Sequence, residues 1–259
     1  MRSHLTKQLF VFLIDTQGTR RLIGRRSIAV DRPHVAVNSP AALAPLPPVC
    51  DAASAGGTTR PASGPAPARA VRRGHSRLPQ LLDEAAHAFA ERGFAAASVR
   101  EIVQRVGMLP GSLYCHFPTK EALLLAVYRE GVVRISAAVD AAVAPVSDPW
   151  QRLETACVAH LTALLDRTDY SQVVIRVRPG DAAAVADELV ALRDHYEKRF
   201  VRLIAELPLS RPVRRSDLRL LLMGALNWSQ TWYRDDGRSS PAQIARRFVG
   251  LLRTGLDGG

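Results

Sequence analysis

Residues 98–125, running from Ser98 to Leu125, read SVREIVQRVGMLPGSLYCHFPTKEALLL, and the architecture can be built from them. Ser98 followed three places on by Glu101 is the pattern of a capping box, in which hydroxyl and carboxylate each satisfy a free N–H at a helix start. Val99, Ile102, Val103 and Val106 then fall on one face at helical spacing. Gly107 predicts the stop, because a helix ends most cheaply in the left-handed region at a residue without a Cβ. Pro110 suits the first position of a second helix, since its φ is fixed and it has no N–H to leave unpaired. Two short helices around a glycine turn predict a helix-turn-helix, whose second helix is sized for a DNA major groove about 12 Å wide.

The same period extends both ways. Upstream, Leu78, Leu81, Leu82, Ala85 and Phe89 recur at helical spacing opposite Asp83, Glu84, Glu91 and Arg92, and Gly93 supplies a stop. Besides helices at 99–106 and 110–116, the pattern predicts helices at 119–140, 149–167, 170–178, 181–206, 215–233 and 241–255. Breaks are expected at Pro145, Pro149, Pro179, Gly180, Pro208, Pro212, Gly237 and Pro241. No alternating strand pattern and no repeat of 20 to 50 residues is evident, so the folded part is expected to be all-α.

Residues 1–77 read differently. From Ala36 to Arg77 the sequence is mostly Ala, Pro, Gly, Ser and Arg without any period, and eight of the seventeen prolines fall before residue 78. Such a composition buries too little apolar surface to offset its ordering entropy, and disorder is expected. Two accounts compete: a basic arm that strengthens DNA binding, or translated upstream sequence from a start codon placed too early. The second is preferred, because Leu9 to Ile14 and the proline runs carry no pattern of a folded role.

Composition excludes several classes. The 259 residues are 47% hydrophobic and 23% charged, enough to fill a core. The longest aliphatic-aromatic run, Leu9 to Ile14, is six residues closed by Asp15, far short of the ~20 a membrane-spanning helix needs. It also makes a poor signal peptide, without a small-x-small cleavage site behind it. Cys50, Cys115 and Cys157 are scattered, predicting reduced thiols in a cytoplasmic protein rather than a disulfide framework or zinc site. Of the net charge of +11, residues 1–77 carry +9, so the basic total is no argument for nucleic-acid binding by the rest. There is no GxSxG, P-loop, dinucleotide fingerprint or HExxH, and His87, His160 and His195 lack partners at metal spacing. Catalytic residues, a metal and a cofactor are therefore not expected.

At Gly107 to Phe117, with Pro118, Thr119, Lys120, Glu121, Ala122 and Leu123 following, the chain resembles the DNA-binding domain of TetR-type transcriptional repressors. The resemblance covers about 50 residues, Leu78 to Val127, and rests on Gly-x-x-x-Gly-Ser-Leu-Tyr-x-His-Phe with a lysine close behind. It implies a helix-turn-helix domain at 78–127 and a larger helical ligand-binding and dimerisation domain at 128–259. By position it implies that Arg100 reaches a base edge or phosphate and that Pro110, Gly111 and Ser112 begin the recognition helix. Tyr114, His116 and Lys120 would grip phosphates, fixing register without reading sequence. Cys115 stands where many relatives place Tyr, Trp or Arg, and Leu109 replaces the common Ser, which removes a side-chain cap worth about 1 kcal/mol. Leu113 and Phe117, one turn apart, read as core.

In the family the last two long helices pair with their copies, which matches 215–233 and 241–255. Leu218 to Tyr233 is apolar nearly all round and must be covered on several sides. The segment from Gly224 to Arg234, GALNWSQTWYR, with Gly237, Ser240 and Pro241 behind it, is similar to the C-terminal signature of a subgroup that senses acyl-CoA thioesters. That implies Arg176, Asn227, Trp228 and Trp232 as effector contacts, against the plainer readings of core or dimer packing for the tryptophans and a solvated arginine face. Asn227 needs a buried partner or a polar ligand. The expected protein is a cytoplasmic, homodimeric repressor on a palindromic operator, released by a small molecule. The alternative is a helical dimer that binds a ligand or partner and no longer binds DNA, suggested by Leu109 and Cys115.

Overall fold

In the computed structural model, which describes residues 77–257, nine α-helices follow one another: α1 (Leu78–Ala96), α2 (Val99–Arg105), α3 (Pro110–His116), α4 (Lys120–Val143), α5 (Pro149–Leu165), α6 (Asp169–Arg176), α7 (Ala186–Ala205), α8 (Arg215–Trp228) and α9 (Pro241–Asp257). Three single 3₁₀ turns lie at Pro179–Asp181, Ala183–Val185 and Ser229–Thr231, and the described residues contain no strand. The extension at 1–77, apart from Arg77, lies outside the described residues.

Short polar side chains set most of the helix starts. Thr119 accepts from the Ala122 N–H at 3.1 Å, Asp148 from Gln151 at 2.8 Å and Thr168 from Ser171 at 3.2 Å, each satisfying one free donor of a first turn. Ser240 and Gln243 form a full capping box at α9, where Ser240 N–H donates to Gln243 Oε1 at 2.9 Å and Gln243 N–H to Ser240 Oγ at 3.3 Å. At α2 only half of the expected box forms. Ser98 Oγ accepts from the Glu101 N–H, but the Glu101 carboxylate turns away to pair with the Arg92 guanidinium on α1. A bond in which both partners are charged is the stronger of the two choices open to that carboxylate.

Several helix boundaries shift by one to three residues from the sequence pattern, and three departures change how the chain reads. Gly93 adopts φ 79° as expected of a stop, yet α1 resumes for another turn to Ala96. The helix expected from 181 begins at Ala186 instead, because Asp181 accepts from the Arg178 N–H at 2.8 Å and draws the chain into a turn. The helix expected to reach 233 ends at Trp228. There Ser229 Oγ donates to the Leu226 carbonyl at 2.6 Å and Thr231 Oγ1 to that of Trp228 at 2.8 Å, so hydroxyls take acceptors that a continuing helix would use. Trp228 and Trp232 therefore do not share one helix face.

A continuous apolar core joins the front of the chain to the back. Leu81, Ala85 and Phe89 of α1 bury with Ile102, Val103, Leu113 and Phe117, and the cluster continues through Leu123 and Val127 of α4 to Leu153, Leu161, Leu192, Phe200 and Leu226. The long α4 runs through the point, 127/128, at which the sequence divides the chain, so one rod belongs to both halves. Helix α6 packs on α1 and α4, and α5 on α4 and α9.

The α4–α6 contact depends on Gly131. A Cβ there would lie 2.7 Å from Val174 Cγ2 and 3.0 Å from the Tyr170 carbonyl oxygen. Gly131→Ala should gain up to about 1 kcal/mol of helix propensity and lose about 1–3 kcal/mol to overpacking. We expect the clash to win, lowering the melting temperature in a thermal unfolding scan; an unchanged or higher midpoint would show that α6 gives way freely.

Candidate nucleic-acid interface and ligand clefts

Helix α3 has only seven residues, too few to hold a shape unaided, and its seat defines what it presents. Leu113 and Phe117 are 0% and 4% exposed, within the apolar core that also holds residues of α1, α2 and α4. Arg105 donates to Glu84 at 2.7 Å and Arg92 pairs with Glu101, which ties α2 to α1. Gly107, at φ 65°, turns the chain between α2 and α3, and Arg77 Nη1 donates to its carbonyl at 2.6 Å. With that side fixed, Gly111, Ser112, Tyr114 and Cys115 point outward, Tyr114 with 54% of its surface exposed. Pro110 opens the helix, and Leu109 ahead of it caps nothing and is 76% exposed.

The remaining expected contacts lie at the start of α2, the end of α3 and the start of α4. Arg100 is exposed on the first turn of α2 and makes no ion pair among the described residues. His116 is half-buried, its ring 6.5 Å from that of Phe117. Lys120 is half-buried too: its Nζ donates to the Ala95 carbonyl at 3.1 Å and lies 4.8 Å from the Phe94 ring centroid. Burial lowers its pKa from the usual lysine value. An ammonium has three N–H donors, so the Ala95 bond leaves two for an outside acceptor.

Behind this surface, α6 is fastened to α1 by side chains at both its ends. Tyr170 donates its hydroxyl to Asp83 at 2.9 Å, His87 Nδ1 stands 3.2 Å from Asp169, and Arg176 Nη1 donates to the Ala90 carbonyl at 2.8 Å. The Arg134 guanidinium lies 4.0 Å from the Tyr170 ring centroid, and burial raises the Tyr170 pKa. Arg176 also lines a cavity of about 420 Å³ with Arg167, Gln172, Gln230 and Tyr233. On the other side of the 229–239 segment a more apolar cleft of about 500 Å³ is walled by Trp232, Tyr233, Ile244, Phe248 and Leu251, with Arg234, Arg238 and Arg247 around it. The four expected effector residues thus do not share one site. Trp232 lines the apolar cleft, Arg176 the polar cavity, and Trp228 is exposed on α8.

Asn227 has the buried partner its amide requires, and that partner was not legible in the sequence. His160 of α5 bridges two helices: its Nε2 is 3.1 Å from Asn227 Oδ1 on α8 and its Nδ1 is 2.7 Å from the Tyr196 hydroxyl on α7. An amide oxygen only accepts, so Nε2 carries the proton and Nδ1 accepts from Tyr196. Its place among the apolar residues of α5, beside Cys157, Leu161 and Leu164, was the only available signal. Burial lowers the His160 pKa to about 4 and raises that of the fully buried Cys157 thiol, whereas Cys115 is exposed. Among the described residues no group of three or more His, Cys, Asp or Glu could hold a metal ion, and no helix is long and apolar enough to cross a membrane.

A short helix seated by two apolar residues, with its opposite face exposed ahead of a larger helical body, defines a helix-turn-helix regulator. The family model for bacterial regulatory proteins of the tetR family matches residues 81–127, and that for the tetracyclin repressor-like C-terminal domain matches 146–256. The transcriptional repressor KstR2 of Mycobacterium tuberculosis is 29% identical over 189 residues, 70% of this chain and 94% of that protein. Its solved structure, titled as a ketosteroid transcriptional regulator, is 25% identical and covers 70% of this chain and 95% of its own, with a TM-score of 0.55. Apo AibR is 27% identical, covering 68% of this chain and 97% of its own at a TM-score of 0.55. AibR is also solved with isovaleryl coenzyme A and operator DNA; that structure, 23% identical over 68% of this chain and 97% of its own at 0.57, bears on the fold alone. The chain belongs to the TetR family of transcriptional regulators.

The buried histidine makes stability depend on pH. Its folded pKa of about 4 lies below the unfolded value of 6.5, so its contribution is complete above pH 6.5 and falls away as pH drops towards 4. The loss reaches about 3 kcal/mol at most. Denaturant titrations between pH 7 and pH 4 should show a steeper decline for the natural protein than for His160→Phe; equal slopes would mean that His160 does not carry the effect.

Proposed function

We propose that the protein is a homodimeric repressor that grips a palindromic operator through α3 of each subunit and releases it when an acyl-CoA thioester binds the C-terminal body. The observation that carries the DNA half of this reading is the division of α3. Leu113 and Phe117 face inward while Tyr114, Ser112 and Cys115 face outward, with Arg100 exposed nearby. Small residues at Gly111 and Ser112 let the backbone approach the groove, Arg100 has the bidentate geometry that guanine presents, and Tyr114, His116 and Lys120 hold phosphates.

Dimerisation follows from the apolar side chains that α8 and α9 leave outside. Leu220, Leu221, Trp228 and Leu251 are 52%, 62%, 42% and 72% exposed on the last two helices. Large apolar side chains left exposed on two neighbouring helices suit an association surface, and a pair of subunits reads half-sites about 34 Å apart. In this reading the protein acts in the cytoplasm by binding DNA and effector.

The effector reading is supported by the likeness to AibR, which is solved with isovaleryl coenzyme A, and by the character of the cleft beside α9. Apolar walls with three arginines suit a ligand that joins a greasy acyl chain to phosphates. A ligand whose anionic end extends past Tyr233, which lines both spaces, into the polar cavity meets Arg176, whose guanidinium also holds the Ala90 carbonyl of α1. An anionic group that recruits Arg176 loosens α1, and the dimer shifts to a state whose two α3 helices are wrongly spaced. Operator affinity then falls by the difference in effector affinity between the states.

Mobility shifts on the DNA flanking its own coding sequence should show binding that weakens steeply with salt. Lys120→Ala should weaken all sequences alike and lower the salt slope by about one, whereas Arg100→Ala should cost about 1–3 kcal/mol and relax preference at one base pair. If neither substitution alters binding, the contact surface is misplaced; if no duplex is bound at all, the reading as a dimer that no longer binds DNA takes over.

Thermal scans with a panel of acyl-CoAs test the other half. A thioester at a hundred times its Kd should stabilise the protein by about 2.7 kcal/mol. No shift with any thioester would remove the effector assignment and leave the repressor reading standing.

A further inference from the structure

The exposed surface of α3 is unusual in what it lacks. From Leu109 to Cys115 there is no Arg, Lys, Asn, Gln, Asp or Glu, the side chains that discriminate guanine, adenine and cytosine through base-edge hydrogen bonds, and Ser112 offers only a hydroxyl that suits several bases. What it has instead is apolar surface. Leu109 and Tyr114 are the large hydrophobic residues left exposed among described residues 77–127, at 76% and 54%, one at the N-cap of α3 and one within the helix. Single exposed leucines need no explanation, but Leu109 also occupies a helix N-cap, where it makes no capping hydrogen bond. The position thus gives up a cap and exposes an apolar side chain together, beside the outward residues Ser112 and Tyr114.

In the major groove, the feature that an aliphatic side chain can recognise is the C5-methyl group of thymine. We infer that Leu109 is a specificity-determining residue that packs on a thymine methyl in each operator half-site. The inference rests on the proposed entry of α3 into the groove and adds how sequence is read there. Division of labour follows: Arg100 supplies the polar discrimination from α2, Leu109 supplies the apolar discrimination, and Ser112 leaves room between them. Such an operator carries a thymine at a fixed place in each arm, and cytosine, which has no methyl, is rejected there.

The test uses the full-length protein. Duplexes bound by it are selected from a random library, and each thymine of the selected site is then replaced singly by deoxyuridine, which removes only the methyl group. For the natural protein, one thymine in each half-site should weaken binding about fourfold on demethylation, the size expected for one buried methyl group. Leu109→Ser should bind the thymine and deoxyuridine duplexes equally at that place. This variant restores a capping hydroxyl, so it should fold at least as stably, which a thermal scan checks. If deoxyuridine is tolerated everywhere by the natural protein, or is penalised equally in Leu109→Ser, the assignment of Leu109 is overturned while DNA binding stands. If selection enriches no duplex, the groove-binding reading itself fails.

Discussion

A seven-residue helix cannot hold its own conformation in water, so everything that α3 presents depends on the burial of Leu113 and Phe117. These two side chains, one turn apart, fix the rotation of α3 about its axis. Rotation in turn decides that Tyr114, Ser112 and Cys115 face outward. The ion pairs between α1 and α2 and the Arg77 contact at Gly107 hold the rest of the seat. Removing either apolar anchor would disorder the exposed face of α3 without touching a residue on it.

The same economy governs the connection to the body. Helix α6 has eight residues, yet Tyr170 and Arg176 bind α1 from its two ends while Gly131 lets its backbone lie against α4. A change in the body therefore has a short mechanical route to α1. The His160 bridge has a different part: by joining α5 to α7 and α8 it keeps the greasy α8 in one register, and its neutral, buried state makes that register sensitive to acid.

How much was legible varied with the range of the interaction. The helix-turn-helix was readable because its signals are local: the Ser98 cap, the left-handed turn at Gly107, Pro110 at a helix start and the spacing of Leu113 and Phe117. The boundaries of α3 match the pattern residue for residue, and α2 differs by one. The pattern failed where side chains competed for backbone groups, as at Ser229 and Thr231, or where a distant partner captured a cap, as Arg92 does with Glu101. Hydrophobic spacing does not register either event.

By itself the sequence determined an all-helical chain, a recognition helix with its inward and outward faces, and the resemblance that places the chain in its family. These follow from apolar periodicity and from backbone preferences at single residues, which act over a few positions. Only the tertiary structure decided that His160, Tyr196 and Asn227 meet, that Arg176 reaches the Ala90 carbonyl, and that Trp228 and Trp232 part company. Those pairings span 36 to 86 residues of chain, or turn on which acceptor a hydroxyl chooses. They are fixed by how helices pack, which no local spacing encodes.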